Sequence, residues 1–109
     1  MDWTKPDLEA LQARRARFAD VEITVDPAAV APRDLAVLPH LVRAAEVMGR
    51  LFWQQASATG PELRREVAAR ADATGDAAWR VLRELIEIHA GPWDRLDHDA
   101  PFYGLDPKP

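Results

Sequence analysis

Apolar side chains recur every three or four residues along most of the chain, the spacing of one face of an α-helix. The longest run lies between residues 35 and 55, where a second apolar face adjoins the first, and another run covers residues 78–89. A helix that is apolar on two sides packs against more than one neighbour. Pro39 interrupts the longer run, so we expect a kink or a short separate turn near Val37 and Leu38.

Two weaker helical patterns flank this run. Thr4 is the expected N-cap of a first helix that extends to about Ala19. Thr59 is the expected N-cap of a helix with few large apolar residues, so we expect that helix to lie at the periphery. Its weak core positions are Leu63, Val67 and Ala71. The predicted fold is therefore mainly α, with about four helices.

One short segment has a different period. Residues 21–25 alternate apolar and polar side chains, with Val21, Ile23 and Val25 on one side, which is typical of a β-strand. No second segment of this kind offers it a ladder partner. Two alternatives follow: the segment stays extended against the helices, or it joins a sheet supplied from elsewhere.

The C-terminal segment, residues 91–109, is irregular and rich in proline, and Gly91 and Pro92 should end the last helix. It nevertheless carries large apolar side chains, namely Trp93, Leu96, Phe102 and Tyr103. A disordered tail would contain fewer of them. We therefore expect an ordered proline-rich tail, and residues 1–109 as a single helical unit.

Composition excludes several classes of function. The formal net charge is −4, which argues against a nucleic-acid partner, since such proteins present a basic surface. The chain has no cysteine, so disulfides and thiolate metal sites are excluded. Neither a signal peptide nor a run of membrane-spanning length is visible. A cytoplasmic protein without a membrane partner is the expectation.

The sequence predicts no catalytic, cofactor-binding or metal-binding residues. His40, His89 and His98 lack the spacing of a zinc-binding helix, and His89 is explained as a favourable partner for a helix C-terminus. Ser57 has no nucleophile elbow around it, and the glycines are too scattered to form a phosphate loop. Arg14, Arg15 and Arg17 form a basic cluster that is best interpreted as a solvated face.

The remaining notable side chains are candidates for packing or for an interface. Burial in the core is predicted for Phe52, whereas Trp53 and Trp79 fit equally well as core residues or as anchors between domains. In the tail, Trp93 and Leu96 should supply apolar contact, while Asp94 and Arg95 could form a local charge-assisted pair. Trp93 either packs against another part of a larger lobe or folds back onto the helices of this chain.

The tail also carries a resemblance. Gly91-Pro92-Trp93-Asp94-Arg95-Leu96-Asp97, followed by Pro101-Phe102 and Pro107-Lys108-Pro109, resembles the N-terminal region of bacterial proteins related to dipeptidyl-peptidase III, a family of zinc metallopeptidases. Upstream, the segments Arg17–Asp26, Leu38–Met48 and Phe52–Gln55 are similar to that region as well. The resemblance extends from about Arg17 to Pro109.

The resemblance implies a large protein with a mainly helical zinc-bearing lobe and a cleft against a second lobe. Its zinc helix, of the H-E-x-x-G-H or H-E-x-x-x-H type, is absent from this sequence, so zinc is expected only in a full-length relative. The favoured function is a non-catalytic, N-terminal helical portion of such a hydrolase, with the rest of the hydrolase as its partner. The alternative is a stand-alone helical module that binds another protein or forms a homo-oligomer.

Overall fold

The computed structural model describes residues 2–104 and 106–109. Five α-helices and a two-stranded antiparallel sheet follow one another along the chain: α1 (Leu8–Arg15), α2 (Pro32–Leu35), α3 (Leu38–Ala56), α4 (Gly60–Thr74), α5 (Ala77–His89), β1 (Trp93–Asp94) and β2 (Ala100–Pro101). Since α2 is a single turn, four helices dominate, and the prediction of a mainly α fold is confirmed. Among the described residues, no helix is both long enough and apolar enough to cross a membrane.

The first helix starts and ends at other residues than the sequence suggested. Asp7, and not Thr4, is the N-cap: its carboxylate accepts the backbone N–H groups of Glu9 and Ala10 at 3.0 and 3.3 Å. This satisfies two of the donors that a helix start leaves free. The carbonyl of Thr4 instead accepts the hydroxyl of Tyr103. At the other end the helix stops at Arg15, short of the predicted Ala19.

The break predicted before Pro39 is confirmed. α2 ends at Leu35, and α3 begins at Leu38 with Pro39 in its first turn. Proline is tolerated there because its missing N–H would have had no partner within the helix. The long apolar run therefore folds as a short turn followed by a nineteen-residue helix.

The core lies between α5 and its two neighbours, α1 and α4. Leu82, Leu85 and Ile86 of α5 are at most 1% exposed, and so are Leu63 and Val67 of α4. The prediction that α4 is peripheral was wrong. Its apolar residues are few, but they repeat every four positions and so form one stripe. Such a stripe is sufficient for burial when the facing helix, α5, supplies the larger apolar side chains.

The long helix α3 lies mostly outside this core. Trp53 is its one buried residue within the described chain, whereas Phe52 is 46% exposed, so the predicted burial of Phe52 was wrong. Adjacent helix positions are rotated by about 100° from each other, and only Trp53 faces the start of α4. There the Trp53 ring lies against Gly60, and the guanidinium of Arg64 lies 5.0 Å from the ring centroid.

The segment predicted as a strand is neither helical nor paired with another strand among the described residues. Val21, Ile23 and Val25 are 75%, 90% and 71% exposed, so the alternative that placed them against the helices is wrong. The two strands that do form lie in the tail, where Trp93 pairs with Pro101 and Asp94 with Ala100. They are only two residues long, which is too short for a period of two to reveal them in the sequence.

Candidate functional site

A buried carboxylate ties the tail to the first helix. Asp94 is 1% exposed, and its Oδ2 accepts the guanidinium groups of Arg14 at 2.5 Å and Arg17 at 3.0 Å. Its Oδ1 accepts the backbone N–H of Leu96 at 2.9 Å. A buried carboxylate needs such partners, because an unpaired charge loses its hydration on burial. We call Asp94, Arg14 and Arg17 the Asp94 cluster.

Two predictions about these residues were wrong. The Asp94–Arg95 pair does not form: Asp94 turns inward from β1, while Arg95 is exposed and uses its backbone N–H elsewhere. The basic cluster is not a purely solvated face either, because Arg14 of α1 and Arg17 of the turn after it both reach Asp94. Arg15, between them, pairs instead with Asp20 and Glu84.

The cluster keeps Asp94 ionised. Burial alone would raise the pKa of the Asp94 carboxyl, but the hydrogen bonds from Arg14 and from the N–H of Leu96, with the charge of Arg17, outweigh it and lower the pKa below its usual value. The cluster therefore fixes the geometry of the tail on α1 and offers no proton at neutral pH.

His89, at the end of α5, lies beside the cluster and is buried. Its Nδ1 accepts the backbone N–H of Arg95 at 3.3 Å, and its ring lies between Phe18 and Phe102. Burial lowers the pKa of His89; Asp94 opposes this effect and the neighbouring arginines reinforce it. The lowered pKa disfavours the charged ring at neutral pH, and because Nδ1 accepts a hydrogen bond, the proton of the neutral ring is assigned to Nε2.

The described residues do not fit a zinc ion. No group of three or more His, Asp or Glu side chains comes together within residues 2–104 and 106–109. His89 has Nδ1 occupied, and its Nε2 lies 3.8 Å from Asp94 Oδ1, a carboxylate already neutralised by two arginines. An ion placed there would meet the positive charges of Arg14 and Arg17.

Trp93 folds back onto this chain. Its indole is 7% exposed, its Nε1 donates to the carbonyl of Asp106 at 2.9 Å, and the strand pairing holds its backbone. Tyr103 closes the same end of the molecule and packs edge-on against the buried Trp79. Leu96, by contrast, is 56% exposed. Of the six packing candidates, Trp53, Trp79, Trp93 and Asp94 are buried, while Arg95 and Leu96 are exposed.

The largest unexplained feature is the surface of α3. Large apolar side chains are 41–64% exposed along this helix: Leu38, Leu41, Val42, Val47, Met48, Leu51 and Phe52. We call these residues the α3 apolar surface. Large apolar side chains exposed together on one helix are typical of a site of protein contact. The two apolar faces visible in the sequence were the signal for it, and residues 2–104 and 106–109 leave these seven side chains exposed.

A second surface feature is a charged cleft. The cleft beside α5 is lined by Arg15, Arg80, Arg83, Glu84, Glu87 and Ile88. Four of its five charged groups are engaged in ion pairs: Glu84 with Arg15, Glu87 with Arg64, and Arg83 with Asp72. Surface pairs of this kind are solvated and contribute little. Among the described residues, the α3 apolar surface is therefore the better candidate for a functional site.

Comparison with known proteins gives one informative similarity. No protein-family model matches the chain, and no similar sequence was found among curated proteins. The chain is similar to DPP III from Caldithrix abyssi, with a TM-score of 0.78 and 35% identity over 90% of its length. It spans 18% of the length of that protein. The similarity confirms the resemblance, inferred from the sequence, to the N-terminal region of dipeptidyl-peptidase III-like proteins.

Proposed function

We propose that this chain is a non-catalytic helical portion of a dipeptidyl-peptidase III-like hydrolase, and that the rest of that hydrolase packs on the α3 apolar surface. The single observation that supports this most strongly is the exposure of seven large apolar side chains on one nineteen-residue helix. A second support is the similarity to a protein of which this chain spans 18%.

Burial of the surface would supply the energy of the contact. Removing apolar surface from water contributes roughly 25 cal/mol per Å², so a helix covered on both sides becomes a core element of the larger unit. The buried part of the chain supplies the anchor. The Asp94 cluster and the core around α5 form a packed base, and Trp53 is the buried residue of α3 within the described chain.

The role proposed for the chain is scaffolding. Zinc and peptide-bond hydrolysis would belong to the remainder of the hydrolase, because the described residues bring no metal-binding group together. We also propose a cytoplasmic, reducing setting, since the chain has no cysteine and relies on packing and ion pairs.

The rival function is a stand-alone interaction module that forms a homo-oligomer through the same surface. Both functions use α3, but they differ in the occupant of its apolar surface. A homo-oligomer needs a second copy to cover two apolar sides of each helix, whereas a larger hydrolase can cover each side with a different element. The mass of the purified chain in solution separates the two.

The experiment is sedimentation of the purified chain over a hundredfold range of concentration, with binding of the dye ANS measured in parallel. We expect a monomer that binds ANS, and a double variant Leu41→Glu/Met48→Glu that loses most of the dye signal without unfolding. The matched control Glu9→Gln/Asp72→Asn changes exposed polar side chains away from α3 and should keep the signal. A stable dimer with little ANS binding would overturn the proposal in favour of the homo-oligomer.

A second measurement tests the scaffolding role. The segment of DPP III from Caldithrix abyssi that matches this chain is deleted, and the remainder is co-expressed with this chain. We expect co-purification that depends on Leu41 and Met48. Calorimetric titration of the chain alone with zinc should show no tight binding, and a stoichiometric zinc site would contradict the proposed division of roles.

A further inference from the structure

Residues 20–26 have the sequence features of a strand but have no sheet partner among the described residues. Val21, Ile23 and Val25 alternate with polar residues and are 71–90% exposed, more than every residue of the α3 apolar surface. All three are β-branched, a side-chain type that packs well on a pleated sheet and is costly to leave in water. An apolar stripe at period two fits the face of a β-sheet and not a helix groove.

The backbone of this segment is available for pairing. Residues 21–25 exchange no backbone hydrogen bond with another described residue. The segment begins beside a surface ion pair of Asp20 with Arg15, at 2.6 Å, and it ends at Asp26, whose carboxylate accepts the N–H of Ala28 at 2.9 Å. Within the described chain, the N–H and C=O groups of residues 21–25 thus remain for a partner strand.

Charge indicates the kind of partner. Asp20, Glu22 and Asp26 give the segment three carboxylates and no cation. If two copies paired antiparallel about Ile23, Asp20 of each would lie opposite Asp26 of the other. Like charges directly opposite each other destabilise a sheet. A second copy is therefore disfavoured, and a strand carrying lysine or arginine at these positions is favoured.

We propose that residues 20–26 add as an edge strand to a β-sheet of the larger hydrolase, and that the receiving strand is basic where it faces Asp20, Glu22 and Asp26. The main-chain ladder would supply affinity, the stripe Val21, Ile23 and Val25 would pack on that sheet's apolar side, and the carboxylates would set register. The claim that the sheet belongs to the larger hydrolase rests on the proposed function. The claim that residues 20–26 can pair with a basic strand does not depend on it.

The experiment uses two cyclic β-hairpin peptides with Asn-Gly turns, one alternating valine with lysine and the other valine with glutamate. Each is titrated into the isotopically labelled 109-residue chain, with amide shifts and hydrogen exchange measured at residues 20–26. We expect the lysine hairpin to slow exchange of alternate amides in this segment. The glutamate hairpin should bind about tenfold or more weakly, as several unfavourable cross-strand charge pairs would produce.

Two variants at one exposed position serve as controls. Ile23→Pro removes a ladder N–H and should abolish the protection, whereas Ile23→Thr keeps both the N–H and β-branching and should retain it. Neither should unfold the chain, because Ile23 is 90% exposed. The proposal is overturned if the lysine hairpin leaves the segment unchanged, if both hairpins bind alike, or if protection grows with protein concentration alone.

These outcomes can be separated from failure of the proposed function. If the chain forms dimers through α3 but still pairs with the lysine hairpin, only the claim that the sheet belongs to the larger hydrolase is overturned. If the chain is a monomer that binds ANS on α3 but does not bind the lysine hairpin, only the proposal that residues 20–26 add to a sheet is overturned.

Discussion

The guanidinium of Arg14 donates to the carboxylate of Asp94 at 2.5 Å, although eighty positions of sequence separate the two residues. Arg17 reaches the same oxygen at 3.0 Å from the turn after α1. The first helix and the tail therefore close around the core as one unit. The carboxylate of Asp94, which joins the first helix to the tail, is buried. Its removal should therefore lower the stability of the whole folded core and not only that of the tail.

We expect Asp94→Asn to lower the free energy of unfolding by about 2–4 kcal/mol, because it leaves two arginines without their buried counter-charge. Arg14 and Arg17 are partly exposed, so water offsets some of the loss. Urea unfolding followed by circular dichroism measures the change. The matched control is Asp97→Asn, whose carboxylate lies 3.6 Å from Arg14 and is 53% exposed. That control should change the free energy by less than about 0.5 kcal/mol, and equal losses in the two variants would contradict the role of Asp94.

Acid should destabilise the chain in two steps. The pKa of His89 is lowered in the folded state, so as the pH falls below about 6.5 the unfolded chain takes up a proton first, and stability declines toward the lowered value. The pKa of Asp94 is lowered as well, so its contribution is complete above about pH 4 and is lost below it. Urea midpoints between pH 7.5 and 3 test both windows.

His89→Gln separates the first window from the second. Glutamine can still accept the N–H of Arg95 but takes up no proton, so the variant should be less stable at pH 7.5 and show a smaller loss between pH 7 and 5. The unsubstituted chain, measured over the same pH range, is the control. An unchanged slope in His89→Gln would show that another group titrates in that window.

The sequence predicted which segments are helical but not which face of α3 is buried. Periodicity identified that helix and its break at Pro39, because both depend on local spacing and backbone sterics. The choice between Phe52 and Trp53 depends on the direction from which α4 approaches, and both residues are apolar. The burial of α4 was missed for a related reason. Whether a helix packs against its neighbour depends on the alignment of its apolar residues along one face, and the number of large side chains does not reveal that alignment.

The Asp94 cluster could not be predicted from local patterns at all. Arg14 and Arg17 have the three-residue spacing of one helix face, but nothing near them in sequence indicates a buried carboxylate. Asp94 has Arg95 beside it, and that neighbour suggested the wrong partner. What the sequence did indicate was order in the tail, since a segment carrying Trp93 and Tyr103 has apolar area to bury.

A pair of leucine variants tests how stability is divided between the core and α3. Leu82→Ala, at a position that is 0% exposed, should cost about 2–5 kcal/mol by removing methylenes and leaving a cavity. Leu41→Ala, at a position that is 58% exposed, should change the free energy of unfolding by less than about 0.5 kcal/mol. Urea denaturation of both variants is the measurement. A large loss in Leu41→Ala would mean that α3 is already packed in the isolated chain.

Gly91→Ala tests whether the turn before β1 positions Trp93. Gly91 has a φ of 152°, which side chains rarely adopt, and an added Cβ would lie 3.0 Å from Cε3 and Cζ3 of Trp93. That ring cannot easily move, because its Nε1 is bonded to the carbonyl of Asp106. We expect a loss of about 1–3 kcal/mol and faster hydrogen exchange of the Trp93 indole N–H.

Gly49→Ala is the matched control for this substitution, because an added Cβ at Gly49 meets nothing within 4 Å and the residue lies in the middle of α3. Alanine favours helix over glycine by about 0.5–1 kcal/mol, so this variant should be neutral or slightly more stable, with the Trp93 indole N–H unchanged. If Gly91→Ala matched Gly49→Ala in both measurements, the close contact between Gly91 and the Trp93 ring would not be what holds the tail against α5.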